Sequence, residues 1–126
     1  MKLVLAALAL ALAAGCAQQP TGRAGLMDVA ERPAEKALLA GIRAYEDAQY
    51  AEAEKQLNTA LKAGLSSAKD RAAAHKHLAF IYCTSNRAVD CEAAFRAARQ
   101  ADPAFALSKS ESGHPVWGPV YKRVLP

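Results

Sequence analysis

The sequence predicts an all-α protein: two helical hairpins, about four helices, with a short C-terminal capping helix, preceded by a signal peptide and a flexible tether. Three observations carry this expectation. Alanine, the strongest helix former, is abundant while Val and Ile are scarce. Apolar residues recur at helical spacing, and no apolar–polar alternation of period two runs for more than a few residues. Pro33, Gly64 and Asp102-Pro103 fall at the edges of the periodic stretches, where helices begin and end.

The chain opens with Met1-Lys2 as a short positive start, Leu3 to Ala14 as an apolar core, and small residues before a cysteine. That core is twelve residues long, too short to span a bilayer. Its end, Leu12-Ala13-Ala14-Gly15-Cys16, resembles the lipobox of bacterial lipoproteins, with Ala13 where Leu is usual. The resemblance implies removal of residues 1–15, lipidation of Cys16 and an exported domain. Ala17, where an Asp would favour retention at the inner membrane, implies the periplasmic face of the outer membrane. An ordinary secretory signal with a cysteine near an Ala-x-Ala cleavage site is the competing account. Acyl chains contribute about 0.8 kcal/mol per buried CH₂, and stable anchoring takes more than one chain.

Residues 16–32 contain Gln18-Gln19-Pro20-Thr21-Gly22 and little periodic hydrophobicity, which suits a tether. Coil scaling gives it a reach of roughly 20 to 25 Å. The domain is expected over 33–126. Pro33 fits the first helical turn, where a missing N–H costs nothing, and Glu31 and Glu35 suit the positive end of the helix dipole. A first helix is predicted from 33 to about 47, and a second from Tyr50 to Ala63 with Gly64 as C-cap. Ser67, with Asp70 three places on, predicts a capping box opening a third helix to about Cys83. A fourth runs from about Ala88 to Ala101, stopped by Asp102-Pro103. Periodicity then weakens; Gly113-His114-Pro115 marks a turn, and Val116 to Leu125 forms a short final helix.

Of 126 residues, 111 remain after the leader, enough for one small domain. With Lys2 lost, 15 basic against 12 acidic residues leave a charge of +3. The charges are interspersed along helical faces, as in Glu52, Glu54, Lys55 and Lys62, which argues against a nucleic-acid partner.

The second hairpin places Leu78-Ala79, Tyr82, Cys91, Phe95, Ala98 and Pro103 at the positions where the tetratricopeptide repeat has its Leu-Gly pair, Tyr, Ala, Phe, Ala and Pro. His75 at the early Trp position and Cys91 depart from the pattern. The first hairpin offers Gly41, Tyr45, Tyr50, Ala53, Leu57, Ala60 and Leu61 on the same frame. The chain thus resembles two such repeats, about 34–67 and 72–105, with an insertion of four residues expected between Gly64 and Asp70. Small residues at Gly41, Ala53, Ala79 and Cys91 allow close helix approach, while Leu57 and Phe95 fill the next interface. Two repeats are fewer than such arrays need to bury their faces, so the tail, 106–126, is expected to cap them through Trp117 and its neighbours. The alternative is that Pro115-Val116-Trp117-Gly118-Pro119 is an exposed docking epitope.

Cys83 and Cys91 would be the only cysteines of an exported domain and are candidates for a disulfide. Regular repeat geometry sets Cys91 about one turn farther from the bend than Cys83, so two free thiols remain the alternative. His75-Lys76-His77 puts its imidazoles two residues apart, on different sides of a helix, which does not make a metal pair. No catalytic constellation, zinc signature or phosphate loop is present in the sequence, so no catalytic residue, metal or cofactor is expected. Protein binding is expected on the concave face made by the first helix of each pair, with Leu38, Ile42, Tyr45, Lys76 and Phe80 on it and Trp117 beside it. Coverage of that strip by the tail competes with an open groove.

The lipobox, the tether, the two repeats and the tail Gly113-His114-Pro115-Val116-Trp117-Gly118-Pro119-Val120-Tyr121-Lys122-Arg123 together resemble the TssQ family of lipoproteins associated with bacterial type VI secretion. The resemblance implies a membrane-anchored periplasmic adaptor with a protein partner among envelope components. A pilotin for an outer-membrane complex and a general periplasmic peptide-binding module are the other functions that such a chain fits.

Overall fold

The computed structural model describes residues 32–126, which form six helices: α1 (Pro33–Glu46), α2 (Tyr50–Ala63), α3 (Ala68–Thr84), α4 (Ala88–Ala101), α5 (Lys109–Ser112) and α6 (Trp117–Val124). No strand occurs among the described residues. The expected leader, Cys16 and the tether up to residue 31 lie outside them. No described helix is long and apolar enough to cross a membrane.

α1 packs along α2 and α3 along α4; the two hairpins stack through α2 and α3, and α6 lies on α4 and α3. Small side chains set how closely the partners approach. A Cβ added at Gly41 would stand 2.8 Å from Cγ of Leu57, so the glycine is what admits that leucine between α1 and α2. Ala53, Leu57 and Ala60 are fully buried on one side of this seam. Ala79, Cys91, Phe95 and Ala98 are the buried counterparts in the second hairpin. Burying a side chain the size of Leu or Phe contributes about 1.5 to 3 kcal/mol, so Leu57 and Phe95 anchor their hairpins.

The two hairpin turns share a pair of equivalent backbone bonds. In the first, Gln49 N–H donates to the Ala44 carbonyl at 2.8 Å and Asp47 N–H to Arg43 at 2.9 Å; in the second, Arg87 N–H donates to Tyr82 at 2.8 Å and Ser85 N–H to Ile81 at 3.0 Å. Each turn carries one left-handed residue, Ala48 at φ 58° and Asn86 at φ 62°, the helix-terminating conformation that satisfies the last carbonyls. The spacing between equivalent residues is 38, the offset of the two sequence frames. The extra residues expected between Gly64 and Asp70 are taken up largely by the helix: α3 has 17 residues against 14 in α1, with its additional turn at the N-terminal end.

The helix ends follow local chemistry. Pro33 stands in the first turn of α1 and Gly64 caps α2. Ser67 Oγ accepts the Asp70 N–H at 3.3 Å, a simple N-cap without the reciprocal carboxylate bond. The reciprocal arrangement is found at α5, a helix that is not among those expected from the sequence. There Ser108 Oγ accepts the Glu111 N–H at 3.1 Å and Glu111 Oε1 accepts the Ser108 N–H at 3.0 Å. A capping box satisfies two orphan donors at once, which lets so short a helix form. Between the hairpins, Leu65 is buried and Glu35 is the one buried charged residue among those described, its carboxylate accepting Ser66 Oγ–H at 3.1 Å.

Candidate functional site

The α1 residue Tyr45 sits in the last turn, next to the bend, while His77 and Phe80 are three apart on α3 and share one face. Stacking the hairpins brings these rings together. Tyr45 lies edge-on to His77 at 5.3 Å between centroids and 6.3 Å from Phe80, with Tyr50 at 5.6 Å on its other side. Trp117, at the start of α6, continues the row by stacking on Phe80 at 4.1 Å and 20°. His114 stacks on Trp117 in turn, at 3.4 Å and 3°. Offset and edge-on pairs of this kind add about 0.5 to 1.5 kcal/mol each beyond the area they bury.

Polar bonds hold the tail in this register. Trp117 Nε1–H donates to the Glu111 carbonyl at 2.8 Å, and Lys76 Nζ meets the Glu111 carboxylate at 2.9 Å. Burial pushes the Glu111 carboxyl up, but the bonds from Lys76 and Ser108 outweigh it and hold the group below the usual glutamate value. Farther along, Tyr121 packs between Phe95 and Phe105, and its hydroxyl accepts the Leu107 N–H at 3.1 Å. Arg99 Nε–H donates to the Phe105 carbonyl at 2.9 Å, and Arg123 pairs with Glu92. Gly118 is buried where a Cβ would collide with the Ser112 carbonyl oxygen. The tail is therefore packed as a cap on the second hairpin.

Cys83 and Cys91 form a disulfide, with their Cα atoms 5.1 Å apart. The bend between α3 and α4 is only three residues long, and it brings the two cysteines within bridging distance despite the extra turn expected at Cys91. Arg87, in the same bend, joins the two hairpins through Glu54 at 2.8 Å and lies over the Tyr82 ring at 4.2 Å.

The residues expected on a concave binding face divide by exposure. Leu38 is buried in the core and Phe80 is covered by Trp117, so neither offers surface to a partner. Ile42 packs part-buried against the core, Tyr45 is half-buried, and Lys76 is engaged by Glu111. What stays open is a cleft of about 340 Å³ at the end of the molecule where the helices turn. Tyr45, Tyr50, Thr84, Ser85, His114 and Trp117 line it. Tyr50, His77 and His114 were not singled out as site members from the sequence. A histidine one turn before Phe80 was the available signal for His77, and Tyr50 read only as a helix start.

The Thr84 and Ser85 hydroxyls and the His77 and His114 imidazoles are bonded to the backbone. Thr84 Oγ1–H and Ser85 Oγ–H donate to carbonyls of α3. His77 Nδ1–H donates to the Ala73 carbonyl at 2.8 Å, and burial holds this imidazole below its ordinary value. His114 Nδ1 accepts the Val116 N–H at 3.1 Å. Burial pushes the Tyr45 hydroxyl up, with Tyr50 and Glu111 adding to the effect. Among the described residues no group of three or more His, Cys, Asp or Glu is placed to hold a metal ion. The arrangement is suited to stacking and to shape recognition. No protein-family model, curated protein or solved structure matches the chain.

Proposed function

We propose that the protein is a membrane-anchored periplasmic adaptor, lipidated at Cys16 and held at the outer membrane, that binds a protein partner as an accessory component of a type VI secretion system. It acts without catalysis: its two hairpins and tail form a scaffold, and the tether confines that scaffold to the membrane surface. The observation that carries the reading is the aromatic cleft at the bends, where Tyr50 is half-exposed beside Tyr45 and His114 while the neighbouring hydroxyls and imidazoles are tied to the backbone. Aromatic side chains that keep one edge wet are the residue type most enriched at protein interfaces.

A photo-crosslinking residue placed at Val116, which is exposed beside the cleft, tests this in intact cells. The expected product is a discrete adduct with an envelope component of the secretion machinery. Changing Cys16 to Ser should leave the domain folded, release it into the soluble periplasm and weaken that adduct. Recovery of unrelated abundant proteins alone, or a Cys16→Ser protein that stays on the membrane, would overturn the reading.

A further inference from the structure

The two ends of the hairpin stack differ in charge. α1 and α3 begin at one end, and α2 and α4 finish there. Arg32 Nη1–H donates to Ser66 Oγ at 3.4 Å in the α2–α3 connection, and Lys69 and Asp102 line one shallow depression, which ties the four termini together. The two bends make the opposite end. Within one turn of the first end stand Lys36, Lys62, Lys69, Arg71 and Arg99, none of them in an ion pair with a described residue. Lys36, Lys62 and Lys69 are exposed. Arg71 Nη1–H donates to the carbonyls of Leu65 and Ser66 at 2.8 and 3.1 Å, and Arg99 Nε–H to that of Phe105. Carbonyls are neutral, so these bonds hold the guanidinium groups in place and leave their charge uncancelled. Against these cations stand two acids without ion pairs, Asp70 and Asp102, while Arg32 is answered by Glu35 at 3.9 Å.

At the bends the balance is reversed. Glu46, Asp47, Glu52 and Asp90 form no ion pair among the described residues, and Arg43 is the one cation there in the same condition, since Arg87 is held by Glu54. Along any one helix the charges look mixed; antiparallel pairing is what sorts them to opposite ends. The chain enters the basic end at Arg32. The residues before it, with Arg23, Asp28 and Glu31, are net negative, so the cationic surface belongs to the folded end and not to the tether.

From these features we infer that the basic end is a docking face for anionic phospholipid headgroups, which seats the domain on the membrane with its bends outward. The inference takes its membrane from the anchored reading above. A lipid attached through the chain that enters this end gives headgroups a local concentration there that a free acidic protein lacks. Each cationic side chain near an anionic surface favours contact by about fivefold, while the acidic bends are repelled. The aromatic cleft then points away from the lipid, roughly 20 Å from it along the fourteen residues of α1.

Protein purified from membranes in non-ionic detergent is reconstituted into vesicles of phosphatidylcholine, or of phosphatidylcholine and phosphatidylglycerol in equal parts. Its amines are then briefly acetylated from the aqueous side and the sites read by mass spectrometry. Lys36, Lys62 and Lys69 are expected to react about three- to tenfold more slowly in the anionic vesicles, and Lys55, in the middle of α2, at the same rate in both. Salt that shortens the Debye length to about 3 Å should remove the difference. Lys62→Glu with Lys69→Glu should remove the protection of Lys36 and leave the melting temperature unchanged, since both lysines are exposed. Equal reactivity in the two vesicle types overturns the assignment, and is the outcome expected if an acidic protein occupies this end. Protection that survives high salt, or that persists at Lys36 in the double variant, overturns it too. The intact mass of the purified protein shows whether Cys16 is acylated. If it is not, the anchored reading falls and flotation of the same protein decides the inference separately. Flotation with the anionic vesicles alone supports the lipid-binding face; flotation with neither kind, or equally with both, overturns it.

Discussion

A methyl group at Gly118 would meet the carbonyl oxygen of Ser112, a backbone atom with nowhere to go, whereas one at Gly41 would meet the movable end of Leu57. The two glycines therefore differ in how much relief their neighbours can give. Gly118→Ala should destabilise the domain by about 1 to 3 kcal/mol, the usual cost of overpacking. In a domain of this size that lowers Tm by roughly 5 to 15 °C. Trp117, one residue away and stacked between Phe80 and His114, should shift its emission to the red as the stack loosens. An unchanged Tm and spectrum would show that α6 is not seated against α5 in this way. At this scale the sequence revealed the core better than the site. Leu57 and Phe95 were legible as packing residues because helical spacing names a buried face. Leu38 and Phe80 are equally buried, but spacing alone does not say whether such a face is covered by solvent, partner or tail. His114 is legible only as a turn residue, because its place in the site depends on a ring contact with Trp117 across an irregular turn, and irregular backbone has no period to read.

Among the elements, the four hairpin helices lie within about two residues of their expected bounds, since their ends are set by Pro33, Gly64, Ser67 and Asp102-Pro103, each a local signal. α5 was missed for the opposite reason: four residues are too few to show periodicity, and only the Ser108–Glu111 pair marks it. Two equivalent backbone bonds and one left-handed residue recur in the bends at a spacing of 38, which explains why one template fits both hairpins. The disulfide spans the second bend only, its two ends eight positions apart. Loop-closure entropy for so short a loop gives about 2 to 3 kcal/mol. Reduction, or Cys83→Ser with Cys91→Ala, should lower the urea midpoint accordingly, read by circular dichroism with and without reductant. Identical midpoints would mean that the bridge adds nothing the packing of α3 on α4 does not already supply.

For the molecule as a whole, two kinds of titrating group set the response to acid. Burial holds His75 and His77 below the ordinary histidine value of about 6.5. The unfolded chain then takes up protons that the folded one refuses, so stability is full above about pH 6.5 and falls as the pH drops toward the folded values. Glu111 differs in kind: burial pushes it up, but Lys76 and Ser108 hold it below its unfolded value of 4.5. Its contribution is present above about pH 4.5 and is lost as the pH falls through the folded value. Glu92, held low by Arg123, acts in the same direction. Tm measured from pH 8 to pH 3 should therefore decline gently below 6.5 and more steeply below 4.5, with Lys76→Ala blunting the second decline. A Tm that is flat between pH 8 and pH 5 would contradict the burial of the two histidines.

The rings that cover Phe80 and Phe95, Trp117 and Tyr121, come from the tail, after both hairpins in chain order. Until they emerge from the ribosome, the second hairpin has an uncovered apolar flank and no means of closing it. For a protein that we propose crosses a membrane before it folds, the cap doubles as a timer, since the segment that closes the second hairpin passes through after it.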